Sequence, residues 1–296
     1  MAIEHKLSAT YSADGATATS ETLGGRTTTF GYDAYGRLSR VDDPIENATW
    51  RYRYDDRGNL IAKTRYMYTI GTPGAAREHI PMTYIGNRLL TYGSRPLVYS
   101  DVGELAEADG WRYAWKSGHL SSMRTEGKAL TFRYNVAGLR LQKTVETGWF
   151  PAVTAYSWRM GRLTQATISR TGYDEVERLT TLRYSYDERG CVASIEIDAK
   201  TYTALCDSAG SVVALLDESG VAVVQYSYDA WGKPVAVSGA LADTLGADNP
   251  LRFRGMLYDE ETGLYDNEGV PYNPEYGRYL TAPYVFSGNN PHHPIR

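Results

Sequence analysis

Two cysteines, five histidines and five phenylalanines are all that 296 residues contain of these types. Cys191 and Cys206 are too few for the disulfide framework of a small secreted domain, and two buried free thiols are expected of them rather than a bridge. No stretch approaches the roughly 20 consecutive apolar residues that span a membrane. Met1 to Lys6 lacks the charged and apolar regions of a secretory leader. Because the repeats described below begin almost at once, the start is expected to be a cut from a longer protein. Basic excess is lacking too: the net charge is −4, so nucleic acid is not an expected partner. Helical periodicity is nearly absent, Ala240 to Gly246 alone offering a short helix closing on glycine. Phosphate loops, nucleophile elbows, Cys-x-x-Cys pairs and zincin motifs are all missing.

What is abundant is tyrosine and glycine, at 25 and 29 residues. Tyrosine suits half-buried strand faces, where its ring packs while its hydroxyl reaches a partner. The two recur together in short units: Tyr32-Asp33-Ala34-Tyr35-Gly36-Arg37-Leu38, Tyr54-Asp55-Asp56-Arg57-Gly58-Asn59-Leu60, Tyr186-Asp187-Glu188-Arg189-Gly190 and Tyr228-Asp229-Ala230-Trp231-Gly232. Weaker copies start at Tyr84, Tyr99, Tyr113, Tyr134, Trp158 and Cys206, usually about 14 to 22 residues apart. β-Branched and aromatic residues lead into each unit, Asp and Gly supply turn chemistry, and alternation resumes after it. Two strands and two turns need about that length. The fold class expected is therefore all-β, a continuous antiparallel meander of hairpins over residues 1–248. From Asn249 the texture changes, with six of the twelve prolines in the remaining residues. Proline cannot donate into a central ladder, so residues 249–296 are expected to form a compact cap, edge or plug.

Candidate sites are few, and each has a bland reading. Asp259 with Glu260 or Glu261, and Asp266 with Glu268, are acidic pairs of a kind that glycosidases use. Solvated turn carboxylates are expected instead. His292 and His293 make a poor metal cage in a Pro-rich tail, and His5, His79 and His119 have no ligand spacing around them. Asn47-Ala48-Thr49 is a glycosylation sequon, read as an unused surface turn. Trp111, Trp115 and Trp231 are expected to staple hairpins together rather than stack on sugars. The repeated Tyr should pack across strands and the repeated Asp cap its turn. The alternative role of these groups is to line a non-sticky lumen. No catalytic, metal or cofactor residue is assigned.

The units resemble the YD repeats of Rhs proteins, shared with teneurins and the TcC component of insecticidal toxin complexes. Asn249-Pro250-Leu251-Arg252-Phe253-Arg254-Gly255 and Tyr258-Asp259-Glu260-Glu261-Thr262-Gly263-Leu264-Tyr265 are similar to the opening of the Rhs-associated core domain. Tyr272 to Leu280 and Gly288 to Pro291 are similar to its later blocks. The resemblance implies a β-strip wound as a spiral into a hollow shell and closed by the core segment. It also implies a variable C-terminal toxin, freed by aspartyl-type self-cleavage, as the guest, or cell-surface adhesion as in teneurins. This chain departs from the pattern at Asp266 to Pro271, read as a polar turn, and at Thr281-Ala282-Pro283. With the sequence ending at Arg296, the Asp-Pro-x-Gly cleavage element and any toxin are expected to lie outside this stretch, and self-cleavage within it is not expected. The expected function is encapsulation or delivery, without enzymatic activity or cofactor. Expected partners are a C-terminal toxin domain or shell protein, with a cell-surface protein or carbohydrate as the alternative. The expected location is secreted or cell-surface.

Overall fold

The computed structural model describes residues 7–12, 18–23, 25–148, 150–172 and 176–280. Twenty-two strands, from β1 (Leu7–Tyr11) to β22 (Pro234–Ser238), form one sheet in which each strand pairs antiparallel with the next. The all-β meander expected from the repeats is what the chain forms. Each turn after an odd-numbered strand lies on the same edge of the strip, and there the Tyr-Asp units sit.

Asp33 shows why these residues make that turn. Its amide donates to the Arg37 carbonyl (2.9 Å) and its carbonyl accepts from the Gly36 amide (3.0 Å). One carboxylate oxygen, Oδ1, takes the amides of both Tyr35 and Arg37 at 2.9 Å. The side chain thus satisfies donors that the tight turn leaves without a strand partner. The same backbone frame recurs at Asp55, Ser100, Asn135, Asp187, Asp207 and Asp229.

The tyrosine just before the turn links one unit to the previous one. Tyr54 donates its hydroxyl to the Leu38 carbonyl (2.7 Å), Tyr84 to Leu60 (2.8 Å), Tyr99 to Leu89 (2.8 Å) and Tyr186 to Leu163 (2.8 Å). Trp115 and Trp158 fill the same place and donate indole N–H to the Leu105 and Arg140 carbonyls. Cys206 also stands there, its Sγ 3.4 Å from the Val192 carbonyl. Both cysteines are free, and both are half-buried rather than fully buried.

At nearly every such position the pairing register slips by one residue, as between Gly31 and Tyr32 or Arg133 and Tyr134. A bulge bends its strand and increases twist, and a series on one edge curls the whole strip. The strip curls until its early strands face its late ones. Tyr52 on β5 (Ala48–Tyr54) meets Trp231, in the turn before β22, edge to face with centroids 5.4 Å apart.

After β22 the chain makes a short π-helical turn at Ala242–Gly246, within the stretch expected to be helical, with the Gly246 amide on the Leu241 carbonyl. A second sheet follows: β23 (Leu257–Asp259), β24 (Leu264–Asn267), β25 (Val270–Asn273) and β26 (Arg278–Tyr279). It packs against the strip. Leu264, Tyr276 and Leu280 join the core formed by Leu38, Leu60, Leu105, Leu130 and Trp231. Two sequence expectations change here. The polar turn read at Asp266 to Pro271 narrows to Glu268 and Gly269 (φ 52° and 84°), with Asp266 and Asn267 in β24 and Val270 and Pro271 in β25. Pro271 lies in β25, between two partner strands, where its carbonyl accepts from the Leu280 amide.

Candidate functional site

The junction between the strip and this second sheet holds the densest buried charge. It begins with Arg140, the first residue of β14 (Arg140–Glu146). In five other units this position carries Leu38, Leu60, Leu105, Val192 or Val212, all buried, and in the last it carries the half-buried Pro234. Arg140 keeps their burial, at 1% exposure, but brings a charge into the core.

That charge is met by two carboxylates from the second sheet. Arg140 Nη1 donates to both oxygens of Asp259 (2.7 and 2.9 Å), and Nη2 donates to Asp266 Oδ2 (3.0 Å). Asp259 ends β23 and Asp266 lies on β24, the two strands being adjacent antiparallel partners. Lys143 adds a second cation, with Nζ 3.2 Å from Asp259 and 2.8 Å from Glu261. Tyr134, on β13 (Lys128–Tyr134), donates to Asp266 Oδ2 (3.2 Å), where other units' tyrosines reach a preceding carbonyl. The Gly269 amide donates to Asp266 Oδ1 (3.0 Å). The guanidinium also lies over the Phe132 ring, 4.4 Å from its centroid.

Burial alone would raise the Asp259 carboxyl, but the charges and hydrogen bonds of Arg140 and Lys143 outweigh it and hold the group below the usual carboxylate range. Burial opposes the charge on Arg140 and Lys143 as well, and Asp259 leads the carboxylates that keep both raised.

Asp259 and Asp266 are therefore not solvated turn carboxylates, since each is no more than 2% exposed. Their expected companions diverge: Glu260 and Glu268 are exposed, and Glu261 is half-buried against Lys143. The sequence pairs each aspartate with its neighbour, whereas the fold pairs the aspartates with each other through an arginine more than a hundred residues earlier. The signal present in the sequence is Arg140 itself, a cation where other units place leucine, valine or proline.

Other contacts dock the same sheet. Lys63 on β6 (Leu60–Met67) donates to the Glu275 carbonyl (2.7 Å), with the Trp231 ring centroid 5.1 Å from its ammonium. Tyr265 and Tyr272 donate to the carbonyls of Gly232 (2.7 Å) and Trp231 (2.8 Å). His119 stacks on Tyr134, and its Nδ1 is 3.1 Å from the Gly269 carbonyl, so it packs at this junction. His79 is on the surface beside Thr64. His5, His292 and His293 lie outside the described residues, as does the Gly288 to Pro291 block. Asn47 is an exposed turn residue, but Thr49 of that sequon is fully buried and bonded to Asp42 and the Thr69 carbonyl. Trp231 is buried within the junction, and Trp111 and Trp115 pack against the core.

Chemically the junction is a clamp. Hydrolysis by a carboxyl pair needs an acid with a proton to give and access to substrate. Here Asp259 is kept charged and both aspartates are sealed from solvent. Beside the clamp is a cavity of about 80 Å³, bordered by Lys143, Tyr156, Arg170 and Glu260. No helix among the described residues is long and apolar enough to cross a membrane.

A family model described as Teneurin YD-shell matches residues 17–294. The chain is 28% identical over 277 residues to the tRNA3(Ser)-specific nuclease WapA of Bacillus spizizenii, a match covering 87% of this chain and 11% of that protein. It is 27% identical over 302 residues to the double-stranded DNA deaminase toxin A of Burkholderia cenocepacia, covering 91% of this chain and 20% of the toxin. Among solved structures, the crystal structure of TcdB2-TccC3 superposes with a TM-score of 0.56 at 16% identity, over 97% of this chain and 19% of that one. This last likeness shows the fold. The chain spans between 11% and 20% of the length of these two curated relatives.

Proposed function

The chain belongs to the teneurin YD-shell family, the YD-repeat architecture of Rhs proteins, and from that premise we propose that it is the sealed end of a longer shell that houses or delivers a C-terminal toxin. Residues 1–248 serve as wall and residues 249–296 as the plug of that end. The chain works as a container and not as a catalyst. The observation that carries this reading is the Arg140–Asp259–Asp266 clamp, which spends three buried charged groups on fixing the second sheet to the strip.

Within the piece itself the second-sheet segment packs onto the strip, burying Tyr265, Tyr272 and Tyr276. The guest space then belongs to the part of the shell that this chain does not supply. The proposed partner is a toxin domain or a further shell protein, and the proposed setting is secreted or cell-surface. An adhesive or sugar-binding face gains no support among the described residues, because Trp111 and Trp231 are spent on packing and Trp115 and Trp158 on carbonyls.

Limited proteolysis of the complete gene product tests the proposal. The C-terminal passenger should survive protease in the intact protein and be cut when Arg140→Leu loosens the plug. A passenger cut as fast in the intact protein as when isolated would overturn it.

A further inference from the structure

Where the curled strip meets itself, two like-charged pairs face each other. Glu46, in the turn between β4 (Leu38–Asp43) and β5, faces Asp229, in the turn after β21 (Ala222–Tyr228). Glu21, on β2 (Ala18–Leu23), faces Asp207, in the turn after β19 (Lys200–Cys206), and also bonds Ser208. Asp43 joins these four around a cavity of about 100 Å³ that separates the early strands from the late ones. We infer that this line of meeting is a pH-sensitive closure, tight in mildly acidic surroundings and loosened toward neutrality. The inference stands independently of what the shell contains.

The turn chemistry of the repeat is what makes the closure responsive. Asp207 and Asp229 each hold two backbone amides in their own turns, Asp207 those of Ala209 (2.9 Å) and Ser211 (2.7 Å), and Asp229 those of Trp231 and Lys233 (2.8 Å each). Neither carboxylate can swing away from its opponent without giving up its turn. Glu46 is equally fixed, accepting the Trp50 indole N–H at 2.8 Å. Like charges held at fixed positions out of bulk water repel more strongly than the same charges on free side chains.

Other charges also face these groups. Arg65, on β6, and Asp43 act on Glu46; Arg254 lies near Asp207; Lys63 and Lys233 face Asp229; Arg26 borders the cavity. The cations do not cancel the effect. Burial first, and the opposed carboxylate second, raise both Glu46 and Asp207 to about 7.

A carboxyl raised in the closed state keeps its proton there and loses it on opening. Closure is therefore favoured at low pH and weakens as pH rises from the ordinary carboxylate range to about 7. Each such group changes the opening equilibrium by about tenfold per pH unit inside that window. Lys63 acts in the opposite sense: burial lowers it to about 8, so closure strengthens again as pH rises above that value. The closure should be weakest between the two.

Hydrogen exchange of the intact chain, read by mass spectrometry and corrected for intrinsic rates, tests this. Opening constants for β2 to β5 and β20 (Val212–Leu216) to β22 should rise at least tenfold from pH 5 to pH 7, while those for β12 (His119–Thr125) to β16 (Arg162–Thr171) stay level. In Glu46→Gln/Asp207→Asn the rise should shrink severalfold, leaving the share of Asp43 and Asp229, which burial also raises; Asn135 already caps such a turn, so Asn at 207 keeps the backbone turn bonds. Equal pH response in both regions of the wild-type chain overturns the inference without reference to the variant. So does a double variant that keeps the wild-type slope.

Discussion

Arg140→Leu returns the repeat to its usual residue and should nonetheless destabilise the protein. The substitution removes both Arg140 bonds to Asp259 (2.7 and 2.9 Å) and the bond to Asp266 (3.0 Å). What stays is Lys143 on Asp259, with Tyr134 and the Gly269 amide on Asp266. Breaking one side of a buried ion pair costs about 3–5 kcal/mol, because the remaining charge is left without compensation. Leucine burial returns part of this, since the site is shaped for leucine in other units, leaving a net loss of ~2–4 kcal/mol at pH 7. The pH dependence separates this from a packing defect. In the wild type Asp259 is lowered, so its contribution is present above the ordinary carboxylate range and is lost as pH falls through its depressed value. In the variant, burial without Arg140 raises Asp259, and its penalty disappears when acid protonates it. Urea unfolding at pH 7 and pH 4 should show the gap between wild type and variant narrowing in acid. Adding Asp259→Asn and Asp266→Asn to Arg140→Leu should recover more than half of the loss at pH 7. A gap below about 1 kcal/mol at pH 7, or one equal at both pH values, refutes the clamp as a charge-compensated unit.

Three further outcomes follow from the repeat. Asp55→Ala removes the acceptor of the Arg57 and Asn59 amides and should cost ~1–2 kcal/mol, whereas Asp55→Asn keeps both amide bonds, as Asn135 does, and loses only the Oδ2 acceptor of the Asn59 side chain, so it should cost less than Ala; chemical denaturation of the two variants compares them. Tyr54→Phe keeps the ring and deletes only the bond to the Leu38 carbonyl, so ~0.5–1.5 kcal/mol should be lost in the same assay. Gly232→Ala meets two obstacles, a φ of 90° and a ring carbon of Phe253 that a new Cβ would approach to 2.3 Å. The thermal transition should fall markedly, with fluorescence of buried Trp231 reporting the junction loosening first; an unchanged transition would contradict the packing described.

The strip was legible in the sequence because its rules are local. Asp33 bonds amides two and four residues on, and the pattern repeats often enough to be read from one chain. The family resemblance drawn from those units and from Asn249 to Leu280 is borne out. The clamp was not legible, because Arg140 and Asp259 are 119 residues apart and each looks ordinary among its neighbours. Asp266 read as part of a polar turn because the string from Asp266 to Pro271 is rich in turn formers, yet two residues suffice for the reversal. The curling of the strip was expected through the family resemblance alone, since no single unit announces it. Each bulge is a small local bend, and only their sum brings Trp231 onto Tyr52.

The tyrosine bonds also have a direction. Apart from Tyr134, which reaches forward to Asp266, the tyrosines before the turns reach from a later unit back to a carbonyl of an earlier one: Tyr54 to Leu38, Tyr84 to Leu60, Tyr186 to Leu163, Tyr228 to Val212. A hairpin leaving the ribosome thus meets an acceptor that is already in place, and offers its own carbonyl to a hairpin not yet made. The order of synthesis and the order of fastening coincide, as in a zip closed from its first tooth. The spans are short, 16 residues for Tyr54 and 24 for Tyr84, so each step closes a small loop and needs nothing from the far end of the chain.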